Sequence, residues 1–207
     1  MNDQGHEVDI GFTQESLPDC HHLCLIYDDE EQRQKIVSVY LAAGLKRGEI
    51  VRYFTDTTTP NDVRARLLEM GLELREDGSF GVVKAENAYC PSGRFVPQEL
   101  LANMVSRYTM AKEAGYSGSR VCSEMTWALR GIPGSDRLLE YEIGINTIHR
   151  AFPHIGMCQY DARLFDGATL FKVLQVHPYM VAQGQIVRNP FYTRPEEFLK
   201  EVGARHE

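Results

Sequence analysis

The sequence is short of tryptophan, of closely spaced cysteines, of long apolar runs and of positive charge, and each shortage excludes something. Its five cysteines, at 20, 24, 90, 122 and 158, form an odd, scattered set without C-x-x-C spacing. That set reads as reduced thiols, not as a disulfide framework or a zinc finger. No apolar run approaches the roughly 20 residues of a bilayer span, so no membrane partner is expected. The opening segment MNDQGHEVDIGF lacks a basic region followed by an apolar one, so no signal peptide and a cytoplasmic location are expected. Lysine and arginine number 22 against 29 aspartates and glutamates, for a net charge of −7. Direct nucleic-acid binding is therefore disfavoured, because basic side chains carry affinity for phosphate backbones. Also missing are an internal repeat, a helix-turn-helix pattern and the G-x-S-x-G of a nucleophile elbow.

What is present suits one large domain. The 207 residues are 43% apolar, an ordinary proportion for a packed chain. Residues 1–18 read as a polar, loosely held lead-in, and 19–207 as a single domain. Apolar strand patterns over 22–27, 49–55, 79–85, 120–125 and 154–160 alternate with helical ones over 97–114, 135–152 and 168–176, and a last helix is expected over 195–201. Between the first two strands, Ile36, Val39, Tyr40, Ala43 and Leu45 recur near helical spacing and Gly48 stands where a helix stops. Thr59-Pro60-Asn61-Asp62 starts a further helix, Glu86–Val96 reads as a loop, and Tyr179–Val187 as a hairpin around Gly184. The alternation predicts an α/β fold: a mostly parallel sheet with helices on both faces.

One absence is specific. Between the first apolar strand and its helix, where a P-loop needs G-x-x-x-x-G-K-[ST], the chain has Asp28-Asp29-Glu30-Glu31. Without glycine the backbone cannot form a phosphate nest, and four carboxylates repel a triphosphate. Around this gap the pattern Leu25-Ile-Tyr27 … Gly44-Leu-Lys-Arg-Gly-Glu49 resembles the RecA/KaiC-type ATPase core. A second resemblance spans His22 to Leu199. Its pieces are His22-Leu-Cys-Leu-Ile-Tyr27, Glu124-Met-Thr-Trp-Ala-Leu129, Leu139-Glu-Tyr-Glu142, Cys158-Gln-Tyr-Asp161, His177-Pro178 and Asn189-Pro-Phe-Tyr192. Together they resemble the MEDS domain, the methanogen/methylotroph DcmR sensory domain, a family regarded as a degenerate relative of the P-loop core. The resemblance implies a RecA/KaiC-like core lacking a functional P-loop. It also implies a non-catalytic sensory role in signal transduction, binding a small organic, hydrocarbon-derivative-like ligand. The output then lies on a downstream signalling or regulatory protein, and a homodimer is the analogous assembly.

In open α/β sheets ligands bind outside the C-terminal ends of the strands. On that rule the expected ligand site comprises Tyr27, Asp28, Glu124, Trp127, Cys158, Tyr160, Asp161 and His177. Glu124 stands where a RecA-type core carries a magnesium-coordinating acid; its bland alternative is a pair with an arginine such as Arg130. Trp127, the single tryptophan, offers a flat apolar face or simple core packing. Cys158 and Tyr160 share one face of their strand. With His177, Cys122 and Glu124 they can be drawn as a metal cluster, and His22 and Cys24 share a face, but the local spacing is not that of metal ligands. No metal, cofactor or catalytic residue is therefore assigned. Glu140 and Glu142 point in different directions on one helix, with Arg137 placed to pair with Glu140. Tyr89–Phe95 reads either as a lid or as a plain connection. Three rivals to the sensor remain: a nucleotide-binding protein with a degenerate P-loop using Lys35, a ligand-free protein-interaction module, and a metal or redox sensor, which predicts bound zinc or iron or thiol-dependent behaviour.

Overall fold

A computed structural model describes residues 7–13, 17–18, 21–149 and 154–198. The chain opens with two short antiparallel strands, β1 (Glu7–Val8) and β2 (Leu17–Pro18). Val8, Ile10 and Leu17 are buried in the core, so the described part of this lead-in is held more closely than its polar composition suggests.

The main sheet has seven strands in the order β5-β4-β6-β7-β3-β8-β9. They are β3 (His21–Tyr27), β4 (Ile50–Thr55), β5 (Phe80–Lys84), β6 (Ser119–Glu124), β7 (His154–Asp161), β8 (Tyr179–Ala182) and β9 (Gln185–Arg188). All neighbours are parallel except β8 and β9, the expected hairpin. The sheet places β3 beside β7 in the register Cys24 to Cys158 and Tyr27 to Asp161. Every residue of β7 is buried, as a central parallel strand covered on both sides requires.

Two helices cover one face. α1 (Glu30–Lys46) begins where Asp29 accepts a hydrogen bond from the Gln32 N–H, with Glu30 and Glu31 at the positive end of its dipole. α2 (Pro60–Glu69) is capped by Thr59, and proline in its first turn sacrifices no hydrogen bond. Their apolar stripes, Ile36, Val37, Tyr40 and Leu41 with Val63 and Leu67, meet Leu23, Leu25, Val51, Tyr53, Cys122, Ile155 and Met157 from the sheet.

The other face carries α3 (Ala85–Tyr89), α4 (Pro97–Glu113), α5 (Leu138–His149) and α6 (Gly167–Val176). The segment expected as a loop from Glu86 thus opens in a helical turn, with Tyr89 and Phe95 buried at its two ends. The long helix expected from Ser135 begins as a 3-10 turn over Ser135–Arg137 and becomes α-helical at Leu138. Residues 150–152 of that expectation, and the end of the helix expected over 195–201, lie outside the described residues; 195–198 are helical. No described helix is long and apolar enough to cross a membrane.

Candidate functional site

Side chains alternate across a strand, so the sheet divides the eight residues of the expected site into separate groups. Tyr27 and Glu124 belong to the α1 face, Cys158 and Tyr160 to the opposite one with His177, and Trp127 to a short turn after β6. Asp28 is exposed in the turn between β3 and α1. Asp161 accepts two hydrogen bonds from the Arg163 guanidinium, at 2.8 and 2.7 Å.

The strand ends on the α1 face are filled by the chain itself. Arg33, 1% exposed, reaches from the first turns of α1 to donate to Tyr53 Oη (2.9 Å), Glu124 Oε1 (3.2 Å), Gln159 Oε1 (2.7 Å) and Thr58 Oγ1 (2.8 Å). It also pairs with Glu30 and lies 5.2 Å from the Tyr27 ring centre. Glu124 receives Tyr53 O–H at 2.6 Å on one oxygen. Its other oxygen accepts from the backbone N–H groups of Asp56 (2.7 Å), Thr57 and Thr58 (3.3 Å), and from Thr57 Oγ1 (2.9 Å). Burial by itself would raise the Glu124 pKa. Hydrogen bonds from Thr58 and Tyr53 and the Arg33 charge outweigh it, bringing the carboxyl down to about 2.

The arginine that meets Glu124 is therefore Arg33, whereas Arg130 pairs with Asp56 and Glu86. Arg33 is legible in hindsight: the series 33, 36, 37, 40 puts it on the buried stripe of α1. Lys35, the lysine of the nucleotide reading, is exposed.

A different polar cluster lies on the opposite face, wholly buried. Glu142, from α5, accepts the Tyr160 O–H on Oε1 at 2.5 Å. Its Oε2 stands 3.0 Å from His22 Nε2, 3.5 Å from His177 Nε2 and 3.6 Å from Cys158 Sγ. His22 Nε2 and Cys158 Sγ are 3.3 Å apart. Burial raises the Glu142 pKa; the His22 hydrogen bond and the charges of the two imidazoles reverse that and hold it at about 2. Burial, with His22 alongside, pushes His177 down to about 3. The Cys158 thiol is driven far up, by burial and then by Glu142.

Two of these residues, Cys158 and His177, were in the expected site. The sheet separates them from Cys122 and Glu124, the partners drawn for them from the sequence, and supplies His22 and Glu142 instead. Glu142 carried a signal: it is a charge between Tyr141 and Ile143, both buried. Glu140, two residues away, pairs with Arg137 on the surface as its spacing implied.

Beside the buried cluster, between α4 and the sheet, is a cavity of about 560 Å³. Its floor is the outward row of three strands: Ile50, Arg52 and Phe54; Ser119, Val121 and Ser123; His154, Gly156 and Cys158. Small residues in that row leave the space that α4 spans with Leu100, Met104, Tyr108 and Ala111. His22 and Tyr89 also line it, and Tyr89 donates to Ser123 Oγ at 2.8 Å. Of the eight expected residues only Cys158 is in the lining. Trp127, fully buried, stacks on Tyr89 with ring centres 4.9 Å apart, and Phe95 packs against it at the same distance. Tyr89 and Phe95 thus pin both ends of the segment read as a lid, by burying aromatic rings in the core.

Comparison with solved structures agrees with this architecture. A Pyrococcus horikoshii protein crystallised with an unknown peptide matches with a TM-score of 0.60 at 14% identity, over 86% of this chain and 90% of that one. A KaiC-like protein from Pyrococcus horikoshii OT3 gives 0.57 at 15% identity, over 84% and 79%. Flagellar accessory protein FlaH from Methanocaldococcus jannaschii gives 0.52 at 12% identity, over 80% and 75%. These likenesses establish a RecA/KaiC-like fold.

Among curated sequences, the transcriptional repressor DcmR of Methylorubrum extorquens is 29% identical over 157 residues, which are 75% of this chain. The match spans 57% of that repressor's length. The family model for the methanogen/methylotroph DcmR sensory domain matches residues 21–178, which include both buried clusters and the cavity floor. This chain belongs to the MEDS family of sensory domains.

Proposed function

We propose that the chain is a non-catalytic sensor that binds a small, mostly apolar organic molecule in the cavity beneath α4. The cavity itself carries this reading. Its 560 Å³ falls within the range of small-molecule sites, about 300–1,000 Å³, and its walls are mainly apolar with a few polar groups to fix orientation. That places the ligand on a face of the sheet, away from the strand ends favoured by the general rule.

The nucleotide alternative is weaker because the strand ends are occupied by Arg33, whose donors are already taken up by five side chains. On this reading Asp28–Glu31 is a degenerate P-loop whose space the chain has filled. α4 is the natural output element: of its 17 residues only Pro97 and Ala111 are buried, so a ligand beneath it can reposition it at low cost. A ligand preferring one position of α4 would shift the population toward it, and a regulatory partner, or a second copy of the chain, would read the change. The repressor relative agrees with a regulatory output. The location consistent with this role is the cytoplasm.

The test uses the single tryptophan as reporter, since Trp127 stacks on Tyr89 and Tyr89 lines the cavity. The protein is titrated with a panel of short halogenated and oxygenated hydrocarbons, following Trp127 emission and the thermal midpoint. A binder should raise the midpoint by mass action and change the emission. Val121→Phe, which fills the cavity floor, should abolish both effects while the ligand-free protein stays folded. A panel with no binder, or binding that survives Val121→Phe, overturns the assignment. Binding of a nucleotide that Lys35→Ala removes would put the rival in its place.

A further inference from the structure

His22, Glu142, Cys158 and His177 present four donor atoms that all lie within 4.8 Å of one another, and every one of these residues is at least 96% buried. Such a group is costly to bury without a purpose, because each polar atom needs a partner once water is removed. The hydrogen bonds around the cluster show which partners are missing.

Asn146 donates through Nδ2 to the Val176 carbonyl at 2.5 Å, which turns its Oδ1 toward His22 Nδ1 at 3.2 Å. His22 Nδ1 therefore carries a proton, and Nε2 is the atom aimed at Glu142 and Cys158. His177 Nδ1 lies 2.8 Å from the Val173 carbonyl and must donate to it. A neutral His177 then carries its lone pair on Nε2, which faces Glu142 Oε2 at 3.5 Å and has no hydrogen-bond partner. A proton on His22 Nε2 would answer one side of Glu142 and leave His177 Nε2 orphaned. A cation in the middle answers all four donors.

We infer that His22, Glu142, Cys158 and His177 form a binding site for a single divalent transition-metal ion of the zinc class. Two imidazoles, a thiolate and a carboxylate are the ligand types that zinc accepts in tetrahedral sites. Bonds of about 2.0–2.3 Å to such an ion put neighbouring ligand atoms about 3.3–3.7 Å apart. Of the separations among the four atoms, 3.3, 3.5 and 3.6 Å fall in that range and 3.0 Å lies just below it, while all pairs are within 4.8 Å. The charges also balance: a dication with one thiolate and one carboxylate is neutral, as a fully buried site demands. Binding displaces the Cys158 thiol proton to solvent, together with any proton on His22 Nε2.

The outer contacts are those of a built site. Both imidazoles are oriented through Nδ1, by Asn146 and by the Val173 carbonyl, and the free oxygen of Glu142 is held by Tyr160. An access route exists because His22 and Cys158 line the cavity. The inference does not depend on what else enters that cavity.

The experiment is a titration of the chelator-treated full chain with Co²⁺ alone, followed by competition with Zn²⁺. One cobalt per chain is expected, with the intense visible bands of a tetrahedral ion and a sulfur-to-cobalt charge-transfer band. Cys158→Ser should remove the charge-transfer band, and His177→Ala should weaken binding at least about tenfold. Absence of saturable cobalt binding, or an octahedral spectrum without thiolate, overturns the proposal. A charge-transfer band that persists in Cys158→Ser overturns it too, since the thiolate is then another cysteine. Should these variants not fold, X-ray absorption of the zinc-loaded wild type still decides: one sulfur with nitrogen and oxygen neighbours supports the site, and no sulfur, or several, excludes it.

Discussion

Replacing Glu124 by glutamine probes the buried knot at the strand ends. The carboxylate collects six hydrogen bonds: from Tyr53, from Arg33, and from the N–H and O–H groups of Asp56–Thr58. Glutamine keeps the shape, but one oxygen becomes an NH₂, a donor facing donors, and Arg33 loses the charge that balances it in the interior. Breaking a buried pair from one side costs about 3–5 kcal/mol, and a loss of that size is expected in urea unfolding at pH 7. The same residue predicts an acid limb. Its folded pKa of about 2 lies below the ordinary 4.5, so its stabilisation is complete above about pH 4.5 and is lost as pH falls toward 2. That gap corresponds to about 3 kcal/mol at most. Wild type should lose this stability between pH 4.5 and 2 on top of the limb that Glu142, also held at about 2, gives over the same window. Glu124→Gln should keep only the latter, a limb shallower by about 3 kcal/mol. A penalty under about 1 kcal/mol at pH 7, or an acid limb of unchanged height in the variant, would refute the account of Glu124 as an ionised, saturated anchor.

Three further outcomes follow from packing. An alanine at Gly44, on α1, would place Cβ 2.8 Å from Arg120 Cδ and 2.9 Å from Glu49 Oε2, inside a buried ion pair. Overlap of about 1–3 kcal/mol outweighs the roughly 1 kcal/mol of helix propensity gained, so Gly44→Ala should lower the unfolding midpoint; a rise would count against the packing argument. Gly131 and Gly134 both have positive φ, 68° and 88°, but a Cβ at Gly131 meets open space whereas one at Gly134 overlaps the Phe95 carbonyl. Gly134→Ala should therefore destabilise by clearly more than Gly131→Ala, which carries only the backbone cost of about 1–2 kcal/mol, and equal midpoints would show that the contact is not rigid. The Cys24 and Cys122 thiols are fully buried, and burial pushes both pKa values far above the usual thiol range. Peptide mapping after alkylation at pH 8 should find both unmodified in the folded protein and modified in urea; labelling of the folded state would mean that this part of the core opens readily.

The fold was legible because it rests on local signals. Strands and helices alternate in the chain, Asp29 and Thr59 announce helix starts, and Gly184 announces a hairpin. The family pieces His22–Tyr27, Leu139–Glu142 and Cys158–Asp161 lie along strands and helices that those signals define. The lead-in was less legible: Val8, Ile10 and Leu17 are too few to give a period, and only the core they enter shows their role.

The candidate site was legible in part. Sequence alone determined that the strand-to-helix turn lacks glycine, that Cys158 and Tyr160 share a face, and that His22 and Cys24 do too, because those facts depend only on residue type and the two-residue period of a strand. Tertiary structure decided the rest. It set Glu124 and Cys158 on opposite faces, since the pairing of Ser123 with Cys158 leaves Glu124 beside Gln159. It brought His22, Glu142, Cys158 and His177 together from β3, α5, β7 and the end of α6, a convergence that no spacing in one segment can encode. It also stood α4 away from a row of serine and glycine, so that a void remains where a tighter helix would have packed. Which face a side chain occupies is written locally, whereas which side chains meet depends on strand order and register, properties of the whole sheet.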